Sequence, residues 1–320
     1  MKPYTYSLLA AALACGMAHG ATAYTTPVGY VTETLKGGQY NLFGLTVHSP
    51  TVVAGVIDAE SSTSVTDTES NFTTLLTAGS TYVLELDGGV IQEVVSWSGS
   101  ALTTPADITA YVTPGTTKFK IRKAPTISEL FGSTNSAGLQ ATPDGDFATA
   151  DVIYVPNGTG GFDQIFYDDS TPGWVDLLFN DMADKPVVYT DGILIQRKGA
   201  DLNLTFSGEI KTTPTVLVTE SQFTYLGNVY PVGSTLGNSG LTSAVQKTPD
   251  GDFNTADLVY IPDGIGGYKV AFYDDSTPGW VDLLFNDLSA EPLKSGMIIQ
   301  RRSGTPYNIN LTPPASYSSL

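Results

Sequence analysis

The segment YDDSTPGWVDLLFND occupies Tyr167–Asp181 and recurs letter for letter at Tyr273–Asp287, 106 positions later. It ends a longer repeat, in which Thr142–Asp181 and Thr248–Asp287 are identical at 30 of 40 positions. The similarity continues into the segments GILIQRKG and GMIIQRRSG. A duplicated unit of roughly 100 residues has the size of one small domain. The sequence therefore predicts two copies of a module that share one fold.

Each copy has the pattern of β-structure. Val, Ile, Thr, Tyr and Phe dominate short runs, and Gly, Pro, Asn and Asp separate them. In the first copy, DVIYVP and FDQIFY are predicted strands joined by the turn NGTGG. Pro172 and Gly173 suit the central positions of a type II turn, after which WVDLLF and GILIQR complete four strands. We therefore predict an all-β fold of antiparallel, β-sandwich or barrel-like modules with an internal tandem duplication.

Aromatic residues flank the repeated turn. Phe166 and Trp174 lie on either side of it and are expected to pack across it. Such aromatic pairs add about 0.5–1.5 kcal/mol beyond the burial of their surface. The alternative is an exposed platform of Tyr167 and Trp174 on which a sugar ring stacks.

Four segments are predicted along the chain: a signal peptide at 1–23, an N-terminal β-domain at 24–124, and the two repeats at 125–211 and 212–320. A weaker similarity joins the N-terminus to the second repeat. TTPVGYVTE resembles TTPTVLVTE, and the aromatic runs QYNLFG and QFTYLG follow them.

The first residues have the pattern of an export signal. One Lys precedes the short apolar run LLAAALACGMA, and Ala21–Ala23 forms a small-residue cleavage site before Tyr24. The run is too short to span a bilayer, and no later stretch of the sequence is long and apolar enough to be predicted as a membrane helix. The only Cys, Cys15, lies inside this signal, where a lipoprotein would use it. We expect a secreted or cell-surface protein, with the periplasm as an alternative, whose mature chain has no Cys-based chemistry.

The charge of the chain narrows the range of partners. Asp and Glu number 32 against 15 Lys and Arg, which gives a net charge of −17. A field of this sign repels polyanions, so nucleic acid and anionic lipid are excluded as expected partners. Basic residues cluster at the module ends, as at Arg197 and Arg301. They either bind acidic partners or pair with the many Asp of the chain itself.

Most of the chain resembles a family of secreted verrucomicrobial proteins without an assigned activity. The resemblance is carried by TTPVGYVT after the signal, the hairpin ADLVYIPDG with its following GGY, and the segment GMIIQRR. It implies secretion and a build of β-modules. It implies no reaction, cofactor or functional residue.

The loop PDGDF of each repeat is the best candidate for an ion site. Closely spaced Asp in a Gly-bearing loop suits Ca²⁺, which takes six to eight oxygen ligands. The predicted ligands are Asp250, Asp252, Asn254 and Asp257 in the second repeat and Asp144, Asp146 and Asp151 in the first. An EF-hand is not predicted, because Thr255 replaces its Gly and Ile261 stands at the position of its bidentate Glu. The alternative is a solvated acidic turn.

No catalytic site is predicted. The mature chain has one His, His48, and no Gly-x-Ser-x-Gly motif for a catalytic triad. The leading expectation is a non-catalytic extracellular protein with a structural, adhesive or ligand-binding role, whose partner is a polysaccharide or another copy of the chain. The alternative is a secreted carbohydrate-active enzyme, since two close carboxylates can hydrolyse a glycosidic bond. Its candidates are Asp168, Asp169 and Asp176, repeated as Asp274, Asp275 and Asp282.

Overall fold

A computed structural model describes residues 26–219, 222–302, 304 and 307–320. The predicted signal peptide and its cleavage site lie outside these residues. In chain order, the described strands are β1 (Val28–Leu35), β2 (Tyr40–Phe43), β3 (Thr51–Val56), β4 (Ala59–Ser61), β5 (Ser64–Thr66), β6 (Tyr82–Leu86), β7 (Ile91–Val94), β8 (Ser96–Ser98), β9 (Ala101–Thr103), β10 (Lys118–Lys123), β11 (Val152–Pro156), β12 (Phe162–Asp168), β13 (Gly173–Asp176), β14 (Ile193–Gln196), β15 (Leu202–Glu209), β16 (Thr215–Thr219), β17 (Phe223–Gly227), β18 (Leu258–Pro262), β19 (Tyr268–Asp274), β20 (Gly279–Val281), β21 (Gly296–Gln300) and β22 (Tyr307–Leu311).

The fold class is confirmed. Two short helices, α1 (Phe72–Leu75) and α2 (Ile127–Phe131), accompany the strands. The strands named above pair in antiparallel register throughout. In the part of the chain that the structure describes, no helix is long and apolar enough to cross a membrane.

The two repeats have the same strand order. The second repeat forms a five-stranded sheet in the order β17-β21-β18-β19-β20 and a two-stranded ribbon of β16 and β22. The first repeat forms the sheet β2-β14-β11-β12-β13 and a ribbon of β1 and β15. Each sheet therefore begins with an N-terminal edge strand, β2 or β17, that the sequence comparison of the two 40-residue segments does not contain.

The strand pairing divides the chain differently from the predicted boundaries. β1 and β2 were expected in an N-terminal domain at 24–124, but they pair with β15 and β14 of the first repeat. The weaker similarity between TTPVGYVTE and TTPTVLVTE thus marks equivalent strands, β1 and β16. The first repeat is interrupted after β2 by an insert, residues 51–123. The insert has its own two sheets, β3-β10-β6-β7 and β4-β5-β9-β8, and a separate core that includes Phe72 and Phe119.

The two repeats pack against each other through glycines. The end of β2 lies on Gly296, where an added Cβ would come within 2.8 Å of the Phe43 Cα. The equivalent end of β17 lies on Gly192, whose amide donates to the Tyr225 carbonyl at 3.0 Å. Between these contacts, a Cβ on Gly44 would approach the Gly227 Cα to 2.4 Å. These close contacts bring residues of both sheets into one continuous hydrophobic core.

A buried polar cluster joins the insert to the first repeat. Arg122 of β10 donates from Nε to Glu85 of β6 at 2.8 Å and from Nη1 to Glu209 of β15. Tyr189 donates its hydroxyl to the same Glu85 at 2.7 Å. His48 lies just before the insert, with Nε2 3.1 Å from the Val229 carbonyl oxygen and its ring centroid 4.3 Å from that of Tyr189. Its role is that of a packed core residue.

We predict that Gly227→Ala destabilises the fold by about 1–3 kcal/mol, because its Cβ would meet the Tyr189 carbonyl oxygen at 2.7 Å. Denaturant unfolding monitored by fluorescence measures this change. Gly88→Ala is the control, since a Cβ there meets no atom within 4 Å. Equal stability of the two variants would contradict a tight contact between the repeats.

We predict a pH effect from His48. Burial lowers its pKa to about 4, whereas the unfolded chain has the ordinary value near 6.5. The unfolded state therefore binds the proton first, and stability falls by about 3 kcal/mol as the pH drops from 6.5 to 4. Burial raises the pKa of Asp191 to about 7, which has the opposite effect over this range. The comparison with His48→Gln isolates the histidine: the variant should lose less stability on acidification, and parallel pH profiles would contradict the assignment.

Candidate functional site

Three loops of the second repeat converge on a surface pocket of about 590 Å³. They are the PDGDF loop at 249–253, the turn between β19 and β20, and the DLLFND loop at 282–287. The pocket wall carries three carboxylates and three hydroxyls, from Asp250, Asp274, Asp287, Ser276, Thr277 and Ser289. The first repeat has the same residue types at every one of these positions except Ala183, which stands where the second has Ser289.

A buried carboxylate fixes the turn beneath the pocket. Asp274 accepts hydrogen bonds from the Ser276 amide at 2.8 Å, the Ser276 hydroxyl at 2.7 Å and the Thr277 hydroxyl at 3.0 Å. The PDGDF loop is held beside it, because the Thr248 amide donates to the Tyr273 carbonyl and the Asp275 amide donates to the Thr248 carbonyl. Asp168 caps the equivalent turn of the first repeat in the same way.

The DLLFND loop is built around a second capping Asp. Asp282 accepts from the amides of Leu284 and Asn286 at 2.8 and 2.9 Å and from the Asn286 side chain at 2.8 Å. The tight turn places Phe285 at φ = +63°, a conformation that is uncommon for a bulky residue. Phe179 of the first repeat has φ = +61°. WVDLLF was predicted as one strand, but the strands end at Asp176 and Val281 because the Asp side chains cap the turn.

The turn leaves apolar side chains facing solvent. Leu178 and Leu284 are each 80% exposed. Phe285 is 57% exposed, and its ring rests on Gly251 and on the edge of the buried Phe272, with ring centroids 6.0 Å apart. Phe253 contacts Phe272 from another direction at 6.4 Å. Each repeat therefore presents two partly exposed rings that share one buried ring, and Phe147 and Phe179 have these positions around Phe166.

The carboxylates of the pocket are ionised at neutral pH. A hydrogen bond from the Thr248 hydroxyl holds the pKa of Asp250 below its usual range, and the Ser289 amide does the same for Asp287. Burial opposes this for Asp274, but the bonds from Ser276 and Thr277 lower its pKa overall. Among the described residues, no Lys or Arg forms an ion pair with these three Asp. The pocket is therefore rich in hydrogen-bond acceptors and negatively charged.

The structure does not bring all the predicted calcium ligands together. Asp257 is fully buried and accepts from the Gln246 amide at 2.7 Å, the Arg302 amide at 2.8 Å and the guanidinium of Arg301. Asp151 has the same arrangement with Gln140, Lys198 and Arg197. These two carboxylates are balanced by arginine, which also identifies the internal partners of the basic residues at the module ends.

The remaining predicted ligands stay in the exposed loops. Asp250 accepts from the Asp252 amide at 3.2 Å, and Asp252 accepts from the amide and side chain of Asn254 at 3.0 and 2.9 Å. Asp144 and Asp146 form the same chain of contacts in the first repeat. Across the described ranges, no group of three His, Cys, Asp or Glu side chains is arranged to hold a metal ion. Calcium binding stays a prediction that rests on the loop residues alone.

Comparison with known proteins gives no relative: no family model, curated protein or solved structure matches the chain.

The aromatic pair at the repeated turn belongs to the core. Tyr167 and Trp174 are cross-strand partners with ring centroids 5.1 Å apart, and Trp174 donates from Nε1 to the Gly132 carbonyl at 2.9 Å. Phe166 points to the other face of the sheet, so the expected packing of Phe166 with Trp174 is replaced by Tyr167 with Trp174. In the loops of the first repeat beside this turn, Phe147 and Phe179 are exposed instead. Sequence reasoning missed them because one lies in an acidic turn and the other in an apparent strand.

The carboxylates proposed for glycoside hydrolysis also serve the loops. Asp168 and Asp176 accept hydrogen bonds from their own turns, as Asp274 and Asp282 do in the second repeat. Asp275 lies 3.7 Å from Lys247, a distance typical of a loose surface ion pair.

Two substitutions separate structural from ion-binding carboxylates. We predict that Asp257→Asn lowers stability by about 3 kcal/mol, because it leaves the Arg301 guanidinium unbalanced. This loss should be equal in Ca²⁺ and in chelator.

A calcium ion bound at Asp250, Asp252 and Asn254 should raise the melting temperature of the wild-type chain, and Asp252→Asn should remove the rise. Thermal melting in the two buffers measures both effects, and identical wild-type curves would leave these loops as capped turns.

Proposed function

We propose that the chain is a non-catalytic extracellular protein that binds neutral polysaccharide through two equivalent sites, in an adhesive or structural role. The observation that supports this function is the duplicated site itself. Each repeat presents a half-exposed Phe ring, Phe179 or Phe285, in a strained turn beside carboxylates and hydroxyls. Strained conformations of bulky residues cluster at functional sites.

The chemistry of the site suits a sugar. The face of a Phe ring contacts the C–H groups of a pyranose, while carboxylate and hydroxyl oxygens accept hydrogen bonds from its hydroxyl groups. A pocket with a few convergent polar groups beside apolar surface is typical of small-ligand sites. The net charge of −17 disfavours anionic polysaccharides, as do the three pocket carboxylates, which have no Lys or Arg partner among the described residues. Neutral chains are therefore the class of ligand that the site fits best.

Duplication adds avidity. A polysaccharide offers the same unit many times, so binding at one repeat raises the effective concentration of ligand at the other. Linked sites exceed the affinity of one site by about 10²–10⁴-fold when both bind at once. A shallow site with weak affinity for one sugar is sufficient under this arrangement. The export signal expected at 1–23 would place the protein where such polymers occur.

We predict that a short neutral oligosaccharide binds with a stoichiometry of two. Calorimetry with oligosaccharides of mannan, xylan and β-glucan measures it. Phe285→Ala should reduce the stoichiometry to one, and Phe179→Ala with Phe285→Ala should reduce it to zero, because each ring forms the stacking surface of one site. On the long polymer, affinity electrophoresis should show weaker retardation for the single variant and none for the double variant.

The control is Ile265→Ala. Ile265 is 84% exposed but lies in the hairpin turn between β18 and β19, away from the pocket. The Ile265→Ala variant should bind the oligosaccharide with the same stoichiometry as the wild-type chain. Unchanged binding by the double variant, or absence of binding to all neutral polymers, would contradict the proposal. Release of reducing ends from the polymer would instead favour the carbohydrate-active enzyme.

A further inference from the structure

A second, smaller pocket lies where the insert meets the segment that links the two repeats. Its volume is about 210 Å³. Lys120 and Arg122 of β10 and Lys211 of the linking segment bring three cations to its wall. Glu85 brings one side-chain carboxylate, and Leu320, the last residue of the sequence, also lines the pocket. In a chain with 32 acidic and 15 basic residues, this wall reverses the prevailing sign of the charge.

The three cations keep hydrogen-bond donors available. Arg122 uses Nε and Nη1 for Glu85, Glu209 and the Ser49 carbonyl, and no hydrogen bond among the described residues involves its Nη2. Lys211 donates to the Thr213 hydroxyl at 2.6 Å and forms a loose ion pair with Glu85 at 3.7 Å, a separation longer than a hydrogen bond. Lys120 is exposed and forms no ion pair in the described part of the chain.

Burial strengthens the interaction of these cations with an added negative charge. Arg122 and Lys211 are almost completely buried. Burial lowers the pKa of Lys211, and attraction to Glu85 only partly restores it. Glu85 is shared among Arg122, Lys211 and Tyr189, and Glu209 also accepts from Arg122. Two carboxylates thus match the two buried cations, and Lys120 adds the excess positive charge. Charge interactions are stronger in such a low-dielectric environment than at an open surface.

We propose that this pocket binds a small oxyanion of the sulfate or phosphate class. Lys120 at the rim, Lys211 in the linking segment and Arg122 at the base would donate to its oxygens in charge-assisted hydrogen bonds. A tetrahedral oxyanion fits the volume, whereas a nucleotide or a sugar chain exceeds it. The bound anion would connect the insert to the linking segment and stabilise their arrangement.

Lys120 provides the test, because its side chain is exposed and its loss should leave the fold intact. Thermal melting of the full chain is compared in sodium sulfate, in sodium phosphate and in sodium chloride of equal ionic strength. At about ten times the dissociation constant, sulfate or phosphate should raise the midpoint by about 3 °C. Lys120→Gln should lose at least half of this rise. Lys118→Gln is the matched control, since Lys118 is exposed on the same face of β10 but does not line the pocket.

The comparison of variants is decisive, because sulfate stabilises proteins in general through its exclusion from their surface. Equal rises in the wild-type chain and both variants would overturn the proposal. Calorimetry should give one anion per wild-type chain and at least tenfold weaker binding to Lys120→Gln. Acetate should bind more weakly than sulfate; equal binding would overturn the assignment to a tetrahedral oxyanion. The Phe179→Ala, Phe285→Ala chain should keep the sulfate effect, which separates this site from the polysaccharide sites.

Discussion

The close approach of two backbone segments, at Gly44 and Gly227, sets the arrangement of the repeats. No residue with a Cβ fits at either position without movement of the neighbouring chain. Because both are Gly, the edge strands β2 and β17 cover each other's inner ends. Exposed strand edges favour association with other chains. The mutual contact covers the inner ends of these two edges and unites both sheets over one core.

The insert breaks the equivalence of the two repeats. Its turn at Gly89 accepts a hydrogen bond from the Val216 amide of β16, so the ribbon of the second repeat is partly covered. On the equivalent ribbon of the first repeat, Tyr30 of β1 is 78% exposed. One duplicated fold thus has two different surroundings. The charged cluster around Arg122 and Glu85 exists only because the insert brings β6 and β10 to this junction.

The sequence predicts local structure well and partner strands poorly. The alternating runs and the Pro-Gly turn correctly indicate four of the seven strands of each repeat, because hydrophobic alternation and turn chemistry act over a few residues. The pairing of β2 with β14 joins residues about 150 positions apart, and no local pattern encodes it. The same limit hid the role of Asp257, whose partner Arg301 lies 44 positions later. The exposed position of Phe285 was missed because Asp282 caps a turn inside an apolar run that resembles a strand.

The two copies of the chain offer an internal comparison of exposed residues. In the equivalent hairpins β11–β12 and β18–β19, several exposed or half-exposed residues differ between the two copies. Thr159 corresponds to Ile265, and Asp163 corresponds to Lys269. Leu178 and Leu284 remain identical although each is 80% exposed and adds little to the core. Packing on Gly145 and Gly251 explains the retained Phe179 and Phe285, but it does not explain the leucines. An apolar side chain that folding does not require, held at the same place in both copies, supports the proposed contact with a ligand or partner at this loop.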